Sequence, residues 1–261
     1  MDVKLLAHTQ LTVDFTDSLG ESYETYMGGK VTDGQAVALS AVRTCYSANK
    51  PSEIVAKEGD KYFGNKATDG GKGTEADRLM RHIITSKHTS TLEHITFTFA
   101  IEGVSRALLA QLTRHRVGFS FSVQSQRYVR FGSDDKSGGF DYVTPKSVSE
   151  SEKTFDMELP DDTTVKANPE QFYKDAMETV QYCYDTLRSL GIPAEDARMV
   201  LPQAATTNLV MTVNLRSLLD FYAKRRKGNG AQAEIADLAE HLRKEVVKVE
   251  PWVDEFFEGG K

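Results

Sequence analysis

The chain has 261 residues, 39 % hydrophobic and 27 % charged, which is enough for one sizeable core and too ordinary in glycine and proline for a fibrous or disordered class. A net charge of -6 argues against non-specific attraction to nucleic acid or an anionic membrane, and no apolar run approaches the roughly 20 residues that cross a bilayer. Two cysteines, Cys45 and Cys183, make no disulfide framework and point to a reducing, cytoplasmic setting; MDVKLLAHTQ has neither the basic leader nor the long apolar run of a secretory signal.

In chain order, residues 28–34 (GGKVTDG) read as a turn-rich lead into a short helix over 35–47. Residues 48–73 are polar and glycine-bearing and read as a surface excursion. A helix is predicted over 75–87. In HITFTFAI, Ile95, Phe97, Phe99 and Ile101 alternate with smaller or polar residues, the pattern of a half-buried strand. GVSRALLAQLTRH follows as a helix. Residues 132–168 are again polar and loop-like, with one strand candidate at DYVTP. Asn168, Pro169 and Gln171 form a good helix start, and Phe172, Ala176, Val180, Cys183, Leu187 and Leu190 recur at helical steps until Gly191 ends the run. LVMTV reads as a strand, and helices follow over 215–226 and 231–248. The whole reads as an α+β fold, a single domain over 1–261 with a β-sheet packed against helices and two long surface insertions, 48–73 and 132–168.

Two of these helices end their apolar stripe in polar groups. Steps of three and four lead from Val104 and Leu108 to Gln111 and His115, and from Leu215, Leu218 and Tyr222 to Arg225. Leaving such groups buried and unpaired costs about 1–3 kcal/mol each. A helix end emerging into water explains one case; two such ends favour a ligand-lined cleft. Between the stripes lies RHRVGFSFSVQSQRYVR, residues 114–130. Its Arg114, Arg116 and Arg127 carry planar forks suited to phosphate or carboxylate, its serines and amides complete a polar lining, and Phe119, Phe121 and Tyr128 offer ring faces. The stretch suits an anionic, flat, hydrogen-bonding ligand.

RHR followed by SFSVQSQRY resembles the signature of the flavin-dependent thymidylate synthases, the ThyX family. AVRTCYS, HTSTLEHITFTF, ARMVLP and TVNLRSLLDF resemble further family motifs and occur in the family's order, so the likeness covers about residues 36–255 apart from the insertions. Eight residues, 117–124, separate Arg116 from Ser125, one more than is usual, and the extra residue is placed around 117–119. Val123 stands where acidic or amide groups are common, Asp220 where asparagine or histidine is usual, and Gly230-Ala231-Gln232-Ala233-Glu234 replaces His-Ala-Gln-Trp-Glu.

The resemblance implies a ThyX-like fold and synthesis of dTMP from dUMP, with FAD and NADPH as redox cofactors and 5,10-methylenetetrahydrofolate as one-carbon donor. It implies hydride delivery from reduced flavin to C6 of the uracil ring and no cysteine nucleophile. Carried over, dUMP meets Gln111, Arg114, Ser125, Gln126, Arg127, Arg198 and Arg225, with Arg225 favouring ionisation at N3 as the catalytic group. FAD meets Cys45, His88, Ser90, Glu93, Arg114, His115, Arg116, Asn214, Arg216 and Asp220. It also implies a homotetramer with sites shared between subunits, Arg127 serving a neighbour's nucleotide.

The bland alternatives are specific. Arg225 also has a lesser reading as a solvated cation at a helix C-terminus, beside Lys224, Arg226 and Lys227. Ser125 has no His/Asp partner at a recognisable spacing, neither cysteine has an activating basic neighbour, and Cys183 reads as packing. No metal site is expected. His82, His88 and His94, with Glu93, nevertheless allow a metal-dependent nucleotide phosphohydrolase, although six residues is not a helix-face spacing. His94 is expected to open the strand. The basic and aromatic 114–130 segment allows a single-stranded nucleic-acid binder, which the net charge opposes. There is no G-x-G-x-x-G and no P-loop, hence no Rossmann-type site.

Overall fold

A computed structural model describes residues 1–20, 31–158 and 162–257. The first three residues of the predicted 28–34 turn, and 159–161 of the second insertion, lie outside the described residues. Six strands are described: β1 Asp2–His8, β2 Thr96–Ser105, β3 Phe119–Val123, β4 Phe155–Glu158, β5 Thr164–Ala167 and β6 Thr206–Asn214. β1, β2, β6 and β3 form one sheet in that order, and β4 with β5 forms a two-stranded antiparallel ribbon in which Phe155 faces Ala167 and Glu158 faces Thr164. The chain divides into two compact units. One comprises residues 1–2, 101–114 and 122–209, the other 3–100, 115–121 and 210–261, so β1, β2, β3 and β6 each contribute residues to both.

The alternation in β2 is observed as read: Ile95, Phe97, Phe99 and Ile101 are fully buried while Thr96 and Glu102 are exposed. The strand runs on to Ser105, so the helix expected from residue 103 starts only at Arg106 and ends at Leu112. Ser105 is its N-cap, accepting from the Leu108 amide. Val104 and His115 therefore lie outside that helix, and the stripe drawn through them is corrected.

The first insertion is also corrected. Residues 48–73 are not an excursion: they contain the helix Ile54–Phe63, whose Ile54, Val55, Tyr62 and Phe63 are buried with Leu39, Ala36, Leu19 and Ala76 in one apolar cluster of the second unit. Glu58 on this helix accepts from Arg43 Nε at 2.7 Å, from Asn49 Nδ2 at 3.0 Å and from the Ser47 hydroxyl. The second insertion holds the β4–β5 ribbon and a short helix, Lys146–Ser149.

The helix Pro169–Ser189 starts as predicted, with Asn168 Oδ1 accepting from the Gln171 amide at 2.8 Å. Gly191, at φ +84°, follows its last turn, where its amide reaches the Arg188 carbonyl. Its buried face matches the expected one only in part, since Ala176, Val180 and Leu187 pack inward as read. Met177 and Tyr184 are buried and Tyr173, Val180 and Leu187 pack against the same cluster, whereas Phe172, Cys183 and Leu190 are exposed. Cys183 is not a packing residue in this chain. The N-terminal strand β1, the helix Val13–Leu19 and the segment Asp254–Phe257 are elements the periodicity did not reveal.

Candidate functional site

In the second unit, β6 ends at Asn214 and the helix Leu215–Arg225 begins there, with Asn214 Oδ1 accepting from the Ser217 amide at 2.9 Å. Leu215, Leu218 and Tyr222 are buried as the stripe predicts, and half-buried Arg225 is its next member. The Arg225 guanidinium donates from Nε to His115 Nε2 at 3.1 Å. The His115 ring meets Phe221 edge-on with centroids 4.9 Å apart and leans on Phe119 at 5.9 Å. Just beyond, Gly118 has φ +74° and a Cβ there would strike Ser217 Oγ and Asn214 Nδ2, so glycine lets this turn close onto the helix start.

Around this helix stand other expected cofactor residues. Arg216 forms an exposed ion pair with Glu93, and Asp220 accepts from Lys224 Nζ at 2.6 Å. His88 Nδ1 shares a hydrogen bond with the Tyr46 hydroxyl at 3.0 Å. Arg116 is exposed. Cys45 is exposed at the C-cap of the helix Asp33–Thr44, and with Ser90 and His94 it lines a cleft of about 610 Å³ whose other wall is apolar, including Leu11, Phe15 and Val37.

The first unit carries Gln111, Arg114, Ser125, Gln126, Arg127 and Arg198. Ser125 organises a tight turn: its Oγ accepts from the Arg127 amide at 3.3 Å and its carbonyl from the Val129 amide at 2.9 Å. Gln126 is only 7 % exposed, and its Nε2 has no partner among the described residues, a buried donor that costs about 1–3 kcal/mol unless something accepts from it. Arg127 reaches Glu195 Oε2 from both Nε and a terminal nitrogen at 3.0 Å and lies 5.5 Å from the Tyr128 ring. Arg198 Nε donates to the Glu195 carbonyl at 3.0 Å. Gln111 Nε2 turns back to the Ala107 carbonyl at 3.4 Å, and Arg114 is exposed.

These placements decide between the sequence readings. His82, His88 and His94 are all exposed, and among the described residues no three His, Cys, Asp or Glu side chains gather as a metal-binding group. His94 belongs to the 3₁₀ turn Thr89–His94 and does not open the strand, which starts at Thr96. Phe119 and Phe121 stack on each other at 5.7 Å, which leaves Tyr128 as the open ring of the 114–130 segment and weakens the nucleic-acid reading. Among the described residues no helix is long and apolar enough to cross a membrane. Tyr46, Phe221 and Glu195, which bond or pack against the expected residues, escaped the sequence reading; Tyr46 adjoins Cys45 in AVRTCYS, and Phe221 lies one step before Tyr222, so their positions were visible but their partners were not.

Residues 29–252 match the family described as thymidylate synthase complementing protein. A flavin-dependent thymidylate synthase of Geobacter sulfurreducens is 36 % identical over 221 residues, which is 85 % of this chain and 81 % of that protein. One from Nitratidesulfovibrio vulgaris is 41 % identical over 198 residues, covering 73 % of this chain and 69 % of the relative. Among solved structures, a UMP/dUMP methylase PolB from Streptomyces cacaoi, bound with 5-Br dUMP, shares the fold with TM-score 0.64 and 21 % identity over 98 % of this chain and 94 % of that one. The flavin-dependent thymidylate synthase ThyX of Helicobacter pylori, complexed with FAD and dUMP, does so with TM-score 0.60 and 22 % identity over 99 % and 98 %. A match over most of the chain, joined to the RHR…SQRY segment and to the motifs flanking it, settles the family: this chain belongs to the flavin-dependent thymidylate synthases.

Proposed function

We propose that this protein makes dTMP from dUMP with bound FAD, taking the one-carbon unit from 5,10-methylenetetrahydrofolate and the reducing equivalents from NADPH. The sum balances: the methylene carbon goes to C5 of the uracil ring, two electrons from NADPH with one proton complete the methyl group, and tetrahydrofolate and NADP⁺ leave. Bound flavin supplies the hydride chemistry. The protein's part is to bind, orient and polarise.

One observation carries the reading: Arg225, at the polar end of a buried helical stripe, is aimed by a histidine acceptor, and among the described residues no carboxylate forms an ion pair with it. Its positive charge is thereby left for a developing anion at the pyrimidine edge. The orphaned Gln126 donor supports a polar ligand in the first unit. The proposed dUMP residues are Gln111, Arg114, Ser125, Gln126, Arg127, Arg198 and Arg225.

The residues proposed for FAD fit such a group. The cleft lined by Cys45 and Ser90 has an apolar wall suited to a ring system, and Arg116 and Arg216 supply charge for a pyrophosphate. His88, Glu93, Arg114, His115, Asn214 and Asp220 complete the proposed set. The proposed assembly is a homotetramer in the cytoplasm, with Arg127 serving a neighbouring subunit's nucleotide.

The test is a flavin absorption spectrum of the purified protein, with dUMP-dependent NADPH oxidation measured in the presence and absence of methylenetetrahydrofolate. A yellow protein that forms dTMP only with all components is the expected result. A colourless protein with no affinity for dUMP overturns the reading.

A further inference from the structure

In the second unit, residues 45–50 follow the helix Asp33–Thr44, belong to no helix or strand, and none of them is buried. Hydrogen bonds rather than packing fix their course. The Arg43 carbonyl accepts from the Tyr46 amide at 2.8 Å and from the Ser47 amide at 2.7 Å. One side chain of the helix Ile54–Phe63 then closes the turn from the side. Glu58 accepts from Arg43 Nε at 2.7 Å on one carboxylate oxygen, and from the Ser47 hydroxyl and Asn49 Nδ2, the latter at 3.0 Å, on the other. Its helix is a firm base for this, since Ile54, Val55, Tyr62 and Phe63 are buried in the apolar cluster. Arg43 is held a second time by the Tyr62 ring, whose centroid lies 5.6 Å from the guanidinium.

The turn so braced carries two groups of the proposed FAD site. Cys45 lines the cleft of about 610 Å³ with Ser90 and His94, and Pro51, just before the bracing helix, lines it as well. Tyr46 shares its hydroxyl bond with His88 Nδ1 at 3.0 Å and meets that ring edge-on, centroids 6.1 Å apart. Tyr46 is 62 % exposed, so the backbone that bears it sets its place. Three donors converging on a charged acceptor form the stronger class of hydrogen bond, and the Glu58 side chain is only 12 % exposed, so water competes little for it.

We propose that Glu58 is a positioning residue for the FAD site: without touching the cofactor, it fixes the turn so that Cys45 forms the cleft wall and Tyr46 orients the His88 ring. The inference rests on the FAD reading above and gives the insertion 48–73 a task within it. The competing role for Glu58 is stability alone, in which it ties two helices together and the cleft keeps its shape without it. Val55, on the same helix, supplies a matched control. Val55→Ala weakens the footing of the helix in the core and leaves every hydrogen bond of the turn in place.

The experiment measures FAD dissociation from the full-length holoprotein by equilibrium dialysis, the visible circular dichroism of the bound flavin, and the melting temperature. The proteins are wild type, Glu58→Ala, Glu58→Gln and Val55→Ala. Glu58→Ala is expected to weaken FAD binding about 10-fold and to alter the flavin dichroism, because groups displaced by about 1 Å lose their oriented contacts. Val55→Ala is expected to lower the melting temperature with FAD affinity and dichroism at wild-type values. Glu58→Gln keeps an acceptor for Ser47 and Asn49 but turns an amide toward Arg43, and is expected to fall between. An equal loss of affinity in Glu58→Ala and Val55→Ala assigns Glu58 to stability alone and overturns the inference. Wild-type affinity and dichroism in Glu58→Ala overturn it too, while the flavin reading stands. If the alanine variant does not fold, the glutamine variant decides alone: wild-type FAD affinity, or a loss no greater than that of Val55→Ala, overturns the inference. A wild-type protein that binds no FAD overturns both.

Discussion

Arg225 donates its Nε–H to Nε2 of His115 across 3.1 Å. An acceptor at Nε2 requires a neutral imidazole with its proton on Nδ1, because a doubly protonated ring has no lone pair to give. The arginine is thus oriented by a neutral partner, and its charge is not spent within the contact. Arg225→Ala is expected to lower dTMP formation by about 100–1000-fold, the scale for deleting one preorganised electrostatic group, while bound flavin stays in place. Turnover assays with a flavin-content measurement check this; loss of flavin with normal residual turnover contradicts it.

The His115 ring is itself held between Phe119 and Phe221. His115→Phe keeps the ring contacts and removes the acceptor. With Arg225 no longer aimed, kcat is expected to fall about 10–100-fold with little change in melting temperature, since misplacement of a catalytic group by about 1 Å can cost that much. Steady-state kinetics beside thermal unfolding separate the two quantities. A variant that is destabilised but turns over normally shows that the contact is structural.

Both thiols lie at the surface of the chain. Cys45 Sγ makes a weak contact with the Ala41 carbonyl at 3.9 Å, and Cys183 projects from the exposed side of its helix. Neither geometry activates a thiolate. The double variant Cys45→Ala, Cys183→Ala is expected to retain methyl transfer, with stability within about 0.5 kcal/mol of the wild type as for surface positions generally. A folded, flavin-loaded, inactive double variant would refute a cysteine-independent reaction.

What the sequence could and could not convey follows from which forces are local. The β2 alternation was legible because one sheet face is fully buried, so every second residue had to be apolar. The start of Pro169–Ser189 was legible because capping is a matter of four consecutive residues. Its buried face was legible only in part: Phe172, Cys183 and Leu190 form an apolar row beside the true one, and only the packing of Tyr184 and Met177 selects between them. The helix Ile54–Phe63 was missed because glycines and charges dominate its surroundings, although Val55 and Tyr62 are seven apart on one face. Within the candidate site, residue types and their order were readable, whereas the pairs His115 with Arg225, Tyr46 with His88 and Arg127 with Glu195 join segments far apart in the chain.

That missed helix also makes a testable electrostatic contribution. Burial alone would raise the Glu58 carboxyl, but bonds from Ser47, Asn49 and Arg43 bring it down to about 2. A carboxyl depressed in the folded state contributes stability that is complete above its ordinary value of 4.5 and is lost as pH falls toward about 2. Glu58→Ala is expected to cost roughly 1–3 kcal/mol at neutral pH and much less near pH 2. Denaturant unfolding of both proteins across that acid range checks the slope; a difference independent of pH sinks the assignment.

Glu250 runs the opposite way. It is 1 % exposed, accepts from the Thr32 hydroxyl, the Gly34 amide and Trp252 Nε1, and so ties the C-terminal segment to the start of the helix Asp33–Thr44. Burial nevertheless outweighs these bonds and raises its carboxyl above the ordinary 4.5. A raised carboxyl binds its proton more tightly when folded, so its contribution is most favourable below 4.5 and declines as pH climbs through the raised value. Relative to Glu250→Gln, the wild type is expected to lose stability over that window, the reverse of the Glu58 slope. The same carboxylate leaves no room at Gly34, where an added Cβ would press on Cδ and both oxygens. Gly34→Ala, which in an open helix gains up to about 1 kcal/mol, is here expected to lose about 1–3 kcal/mol, because Glu250 cannot move without breaking three hydrogen bonds in a buried site. Equilibrium unfolding of Gly34→Ala measures it, and a variant as stable as the wild type means that this carboxylate is free to yield.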